Sequence, residues 1–407
     1  MERKKYLYVF GFILAGLFLA GCMKSPAPLK SIQEISPQYK TEQLTPVLAS
    51  VLDTPIPGKQ TDRSFHLAYE LVVTNAAKSD ITIESIEIRD PERDDKSVAI
   101  LSTDGIKTNM YFTGSVEPTT TLKAAQTGVV KINLIFPSLR DIPQYLEHLI
   151  TVTTDKPSRY FPAKLVERVA RTMVVADPTA VISSPVKGER WVAVAACCDS
   201  YHRNAILPVS GSWHVAQRYA IDWIQLDEHN KMVTGDSKKN ESYPQYGKEI
   251  FAVAEGTIVH VQDGLPDGVP GGYPADLPFE HADGNSVVQD IGNGRFVLYA
   301  HMIPNTVRVN KGDHVSRGQI LGLLGNSGNS DAPHLHFHIM DNPMPLASSG
   351  IPYVIDSFIL TGRVKSTDNL ATEFEKPYTP LTIMKVDGIG KRHDEMPANL
   401  TVIDFLD

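Results

Sequence analysis

Pro333-His334-Leu335-His336-Phe337-His338, preceded by Gly325-Asn326-Ser327-Gly328-Asn329-Ser330, is the stretch on which the reading of this chain turns. Thirteen histidines are spread over 407 residues, yet three of them fall here at every second position. Alternate residues of an extended strand share a face, so His334, His336 and His338 point one way and Leu335, Phe337 and Ile339 the other. Two imidazoles on one face can share a metal ion and its bound water. A strand built only for packing seldom carries three bulky titratable groups on one side. The pattern predicts a β-rich domain with a metal or catalytic site on one sheet face.

The surroundings extend that domain over residues 185–361. Strand candidates are residues 249–262, 286–291, 296–301 and 334–340. Gly312, Gly318, Gly322, Gly325 and Gly328 punctuate them as hairpin tips or positions needing positive φ. Residues 263–284, rich in Pro, Gly and Asp, are too long for a hairpin turn and read as the wall of a substrate groove. Residues 362–407 read as a C-terminal extension of mixed character.

Upstream, residues 61–180 change to short β-type runs, among them residues 65–74, 80–88 and 128–136, separated by turn-prone clusters such as Asp90-Pro91-Glu92. This spacing predicts an antiparallel sandwich of immunoglobulin type with a spacer or docking role. The fold class is therefore all-β: an N-terminal immunoglobulin-like sandwich followed by an antiparallel β-rich domain. Residues 22–60 hold six prolines and little periodicity and read as a flexible tether.

Residues 1–21 read as a signal peptide: Arg3, Lys4 and Lys5 precede an apolar run, and Leu19-Ala20-Gly21-Cys22 resembles the lipobox of bacterial lipoproteins. That resemblance implies cleavage before Cys22, lipidation of Cys22, and an exported protein anchored to the cell membrane or outer membrane. Removing residues 1–21 takes away Glu2, Arg3, Lys4 and Lys5, and moves the net charge from −8 to about −10. With no basic cluster further on, nucleic-acid binding and a peripheral electrostatic grip on anionic lipid are both excluded. Cys197 and Cys198 are adjacent, so they cannot staple distant segments; structural roles are expected of them. A monomer is the default.

Four stretches agree in order: Gln217-Arg218-Tyr219-Ala220-Ile221-Asp222-Trp223, Phe251-Ala252-Val253-Ala254-Glu255-Gly256, Tyr299-Ala300-His301-Met302, and the Gly325-to-Phe337 segment. Together they resemble the lysostaphin/LytM-type zinc metallopeptidases, which cut peptide bonds of bacterial cell walls. The run Val309-Asn310-Lys311-Gly312-Asp313 also resembles a biotinyl carrier hairpin, a reading opposed by the lipobox and the His-x-His strand. The peptidase resemblance covers residues 205–340. It implies zinc (Zn2+) as cofactor, peptidoglycan peptide as substrate, Asp222 and His336 as ligands, and His334 and His301 as catalytic histidines. His334 would take or orient the proton of the water; His301 would steady the oxyanion or the leaving amine.

The departure is at position 218, where the family pattern His-x-x-x-Asp asks for a histidine. Arg218 has no lone pair to offer and could capture Asp222 as an ion pair. His214 is the expected third ligand, although eight extended residues, roughly 26 Å, separate it from Asp222 unless the chain folds back. His202 through a hairpin, His338, or only two protein ligands are the other options. The reading is a zinc endopeptidase at the cell envelope, with a possible envelope partner for the sandwich. The alternative is a catalytically degenerate module that binds cell wall or regulates an amidase.

Overall fold

The computed structural model describes residues 44–112, 119–175, 179–198, 201–366, 368 and 370–405. The signal-peptide and lipobox readings, Cys22 included, lie outside the described residues. Among the described residues no helix is long and apolar enough to cross a membrane.

The first layer pair is a sandwich. One antiparallel sheet runs in the order β1-β2-β6-β5, formed by Val47–Val51 (β1), Phe65–Asn75 (β2), Met110–Phe112 (β5) and Thr127–Phe136 (β6). The facing sheet runs β8-β7-β3-β4, from Ile81–Asp90 (β3), Lys96–Ser102 (β4), Tyr145–Thr153 (β7) and Lys164–Met173 (β8). Leu67, Tyr69, Leu71 and Val73 of β2 meet Ile81, Ile83, Ile86 and Ile88 of β3 in one core. The isoleucines change parity between 83 and 86, and β3 carries a register shift against β7 between Ile83 and Ser85. That one-residue bulge returns the second pair of isoleucines to the core face.

The expected tether ends earlier than residue 60. Val47–Val51 pairs along Leu71 to Asn75 of β2, so this strand belongs to the sandwich. The surrounding prolines masked its five residues in the sequence.

A 12-stranded sheet, with three two-stranded sheets beside it, forms the remainder of the described residues. Its central run is β13-β14-β12-β9-β16-β15, formed by Gly188–Val194 (β9), Ile221–Gln225 (β12), Phe296–Met302 (β13), Leu335–Met340 (β14), Phe358–Val364 (β15) and Thr401–Phe405 (β16). A separate hairpin joins Ile206–Val209 (β10) to Ser212–Val215 (β11). Trp191, Trp223, Tyr299, Phe337, Tyr353 and Phe405 fill the core on one face. The expected boundary at residue 361 cuts through β15. Residues 362–407 are not an appendage, because β16 is inserted between β9 and β15. Cys197 and Cys198 are joined to each other in a disulfide.

Sandwich and large sheet belong to one compact unit. Val129 of β6 packs with Ile206 and Val215 of the hairpin, and Ala68 of β2 enters the core of the large sheet. Within the sandwich, His148 is fully buried; its Nδ1 donates to the Ala170 carbonyl at 3.0 Å, and its Nε2 accepts from the Tyr69 hydroxyl at 2.9 Å. Burial pulls its pKa from 6.5 to about 4. The unfolded chain therefore binds the extra proton first, and stability is lost as pH falls from 6.5 through about 4. This histidine accounts for about 3 kcal/mol of acid destabilisation. His148→Gln, which can keep both hydrogen bonds without titrating, is expected to lose less stability than the parent by about that amount between pH 7.5 and 4. Urea denaturation at the two pH values measures the difference.

Candidate metal and catalytic site

The site begins with strand register. Asp222 of β12 lies directly opposite His336 of β14, while their neighbours Ile221, Trp223, Leu335 and Phe337 are buried in the core. Packing on one face thus presents a carboxylate and an imidazole side by side on the other.

Asp222 is almost fully buried and gathers four groups. Its Oδ1 lies 2.9 Å from His336 Nδ1 and 3.5 Å from His334 Nε2. Its Oδ2 lies 3.1 Å from His202 Nε2 and accepts from the Tyr201 hydroxyl at 2.6 Å. Burial alone would push the carboxyl up, but His202, then His334, hold it well below the usual carboxylate range. Conversely, burial pushes His336 down, and Asp222 only partly offsets this.

The side chain that joins Asp222 and His336 is His202, not His214. The β10–β11 hairpin turns at Ser210 and Gly211, both at positive φ, and sets His214 opposite Leu207. The apolar side of that hairpin is spent on Val129 of the sandwich. His214 belongs to neither of the two groups of close donor atoms found among the described residues. One is His202, Asp222 and His336, with donor atoms within 4.8 Å of one another; the other is His301, His334 and His336. His202 reaches Asp222 from the 3-10 turn Tyr201–Asn204. Its Nδ1 donates to the Ala195 carbonyl at 2.9 Å, which turns Nε2 to Asp222; burial pushes its pKa down, but Asp222 more than offsets this and holds it above the ordinary histidine value.

Arg218 does not capture Asp222. Its guanidinium is buried and turned to the sandwich, bonding Glu70 and, at 2.7 Å, Asp53. It also donates to the Gly350 carbonyl at 3.3 Å. Close approach here requires glycine, since a Cβ at Gly350 would lie 1.7 Å from the Arg218 carbonyl oxygen.

His338 is nearer the site than a bystander. Its Nδ1 lies 3.1 Å from His336 Nε2, so with that nitrogen protonated His336 directs its Nδ1 lone pair toward Asp222. Two imidazole nitrogens and one carboxylate, each imidazole oriented through its other nitrogen, are a donor set that fits zinc.

The two remaining histidines rest on the Gly325–Ser330 loop. His301 has φ 64, a left-handed conformation uncommon for a non-glycine residue, and its Nδ1 donates to the Ser327 carbonyl at 2.7 Å. The Ser327 hydroxyl bonds the Met302 carbonyl at 2.7 Å and accepts from Asn285 N–H at 2.9 Å. Gly328, at φ 78, lets the loop pass where a Cβ would lie 2.3 Å from the Gly284 nitrogen. His334 donates from Nδ1 to the Ala332 carbonyl at 2.8 Å. Both rings therefore present Nε2 lone pairs, 4.7 Å apart between centroids. Burial, then the neighbouring His334 and His336, push His301 well below the ordinary histidine range. These groups open on a cleft of about 470 Å³ that is also lined by Tyr201, Tyr243, Tyr273 and Phe374. Tyr273 comes from the 263–284 loop expected to form a groove wall.

Residues 242–347 match the model of Peptidase family M23. The chain carries an M23 peptidase domain. The matched segment holds His301, His334 and His336 and begins after His202 and Asp222. The chain is 27% identical over 139 residues to the peptidoglycan DD-endopeptidase ShyA of Vibrio cholerae serotype O1, a stretch that is 34% of this chain and only 27% of that protein's length. Among solved structures, the catalytic domain of lysostaphin from Staphylococcus simulans is 21% identical, with a TM-score of 0.22 over 40% of this chain and 88% of that one. A zinc-containing peptidase from Vibrio cholerae is 12% identical, with a TM-score of 0.25 over 70% and 80% of the two chains. The M23 family is zinc-dependent, in keeping with the donors assembled around Asp222.

Sequence reasoning missed Tyr201, the Ala195 carbonyl and the orienting part of His338; none forms a motif on its own. His202→Ala is expected to weaken zinc binding by at least about 10-fold, the scale set by loss of an orienting group alone. His214→Ala should leave it unchanged. Competition against a chromophoric chelator separates the two; equal losses in both variants would reverse the assignment.

Proposed function

We propose that the protein is a zinc metalloendopeptidase hydrolysing peptide bonds of peptidoglycan cross-links, held at the cell envelope by a lipid on Cys22. His202, Asp222 and His336 hold the ion in this reading, and His334 and His301 work beside it. The observation that carries it is the position of His202: its Nε2 lies 3.1 Å from Asp222 Oδ2, completing a three-donor group with His336 although residue 218 is arginine. The motive for a degenerate binding module was Arg218, and its guanidinium is engaged by Glu70 rather than by Asp222.

A bound zinc supplies Lewis acidity toward the scissile carbonyl and acidifies water. His334 takes the proton of the attacking water at Nε2, where Asp222 Oδ1 at 3.5 Å stabilises the resulting imidazolium. It then returns that proton to the leaving amine. His301 has a role different from the one implied by resemblance. With its Nδ1 proton given to Ser327 and its basicity depressed by burial, its Nε2 is an acceptor before reaction. It therefore orients the water by accepting from it at Nε2. The aromatic rings of Tyr201, Tyr243 and Tyr273 give the peptide an apolar wall on which to lie.

Purified protein should contain zinc and release soluble peptides from purified sacculi, with loss on chelation and recovery on adding zinc. His334→Ala should keep the ion and lose on the order of 10²- to 10⁴-fold in kcat/KM. Undiminished release by that variant, or a parent that binds zinc and releases nothing, would overturn the enzymatic reading.

A further inference from the structure

We propose that Glu70, a residue of the N-terminal sandwich, is a positioning residue for the metal site and acts through Arg203 on His202. The inference rests on the reading of His202 as a ligand.

The three donors are not held alike. Asp222 is flanked in the sheet by Val194 of β9 and His336 of β14, so two ladders fix its backbone. His336 lies between Asp222 and Ala300 of β13. His202 belongs to no strand. It sits on a four-residue 3-10 turn, closed by Ala205 N–H bonding the His202 carbonyl at 3.1 Å and by the ring's bond to Ala195. A single such turn is weak structure.

What clamps this turn is the next residue. Arg203 is 1% exposed, and its guanidinium is gripped by the sandwich. Nε and Nη2 donate to Glu70 Oε1 at 3.0 and 2.7 Å, and Nη2 also reaches the carbonyls of Tyr69 at 3.0 Å and Ile132 at 3.2 Å. On the other side Nη1 donates to the Cys198 carbonyl at 2.8 Å, just before the turn. The planar fork thus spans β2, β6 and the approach to His202, a geometry lysine cannot reproduce. Glu70 is completely buried, and its second oxygen is bonded by Arg218. Arg218 serves the same carboxylate, but the nearby ligand Asp222 is already fixed by the sheet. The two arms of one charge cluster therefore differ in what they can do to the metal.

The test compares Arg203→Lys with Arg218→Lys in the full chain. Both keep the charge; the first loses a two-nitrogen fork on Glu70 and the second the single Nη2 bond to its other oxygen. Arg203→Lys should weaken zinc affinity about 10- to 100-fold, as expected for loss of a group that orients a ligand. Arg218→Lys should stay within about threefold of the parent. Zinc affinity is read by chelator competition, alongside thermal melts of the metal-free proteins. Glu70→Asp keeps the charge but withdraws its oxygens, and should reproduce the Arg203→Lys loss if that variant fails to fold. Equal zinc affinity in all proteins, or equal losses in the two lysine variants, overturns the inference and leaves the zinc reading standing. A folded parent that binds no zinc removes both.

Discussion

The register of one strand pair carries the rest of this molecule. β12 and β14 are aligned so that Asp222 faces His336, and the alignment is enforced by apolar residues on the opposite face: Trp223 against Leu335 and Ile221 against Phe337, all fully buried. A slip of one residue in β14 would drive His336 into a hydrocarbon core and bring Leu335 and Phe337 to the cleft. The energy that sets the register is thus hydrophobic, while the groups it positions are polar. This separation lets a site of buried, mutually perturbing charges exist without being required to hold itself together.

Asp222 then organises the electrostatics. A lone carboxylate at this depth would be costly. Here one carboxylate is shared among His202, His334, His336 and Tyr201, and each imidazole has its other ring nitrogen bound elsewhere, to Ala195, Ala332 or His338. Those outer contacts select tautomers. They turn Nε2 of His202 and Nδ1 of His336 inward, where an ion would need them, and direct Nε2 of His334 and His301 to the cleft. Ligand and proton acceptor differ by which nitrogen the backbone or neighbour has claimed, more than by residue type.

This explains why some of the site was legible in the sequence and some was not. The His334–His338 alternation is local: period two puts the histidines on one face whatever the tertiary structure, and the strand appears where it was expected. Asp222 and His301 were legible through motif order. His202 against His214 was undecidable, because the choice depends on whether a hairpin or a 3-10 turn closes on Asp222, and that depends on contacts with a sandwich far away in the chain. Val47–Val51 and Thr401–Phe405 were missed for a related reason. Five-residue strands without strong periodicity become strands by the partners they add to, here β2 in one case and β9 with β15 in the other.

Arg218 and His202 are best understood as one choice rather than two. A histidine at 218 would stand four residues from Asp222, close to a strand that the sheet already orders. Arginine there cannot bind a metal, yet it supplies half the charge that keeps Glu70 ionised in a dry interior; burial pushes that carboxyl up, and Arg218 and Arg203 together bring it below the usual range. The ionised Glu70 in turn holds Arg203 and the turn that carries His202. On the proposed assignment, the absence of a ligand at 218 and its supply at 202 are linked through a single buried carboxylate. In the proposed arrangement the sandwich is more than a spacer, because Arg203, next to His202, is held by its strands.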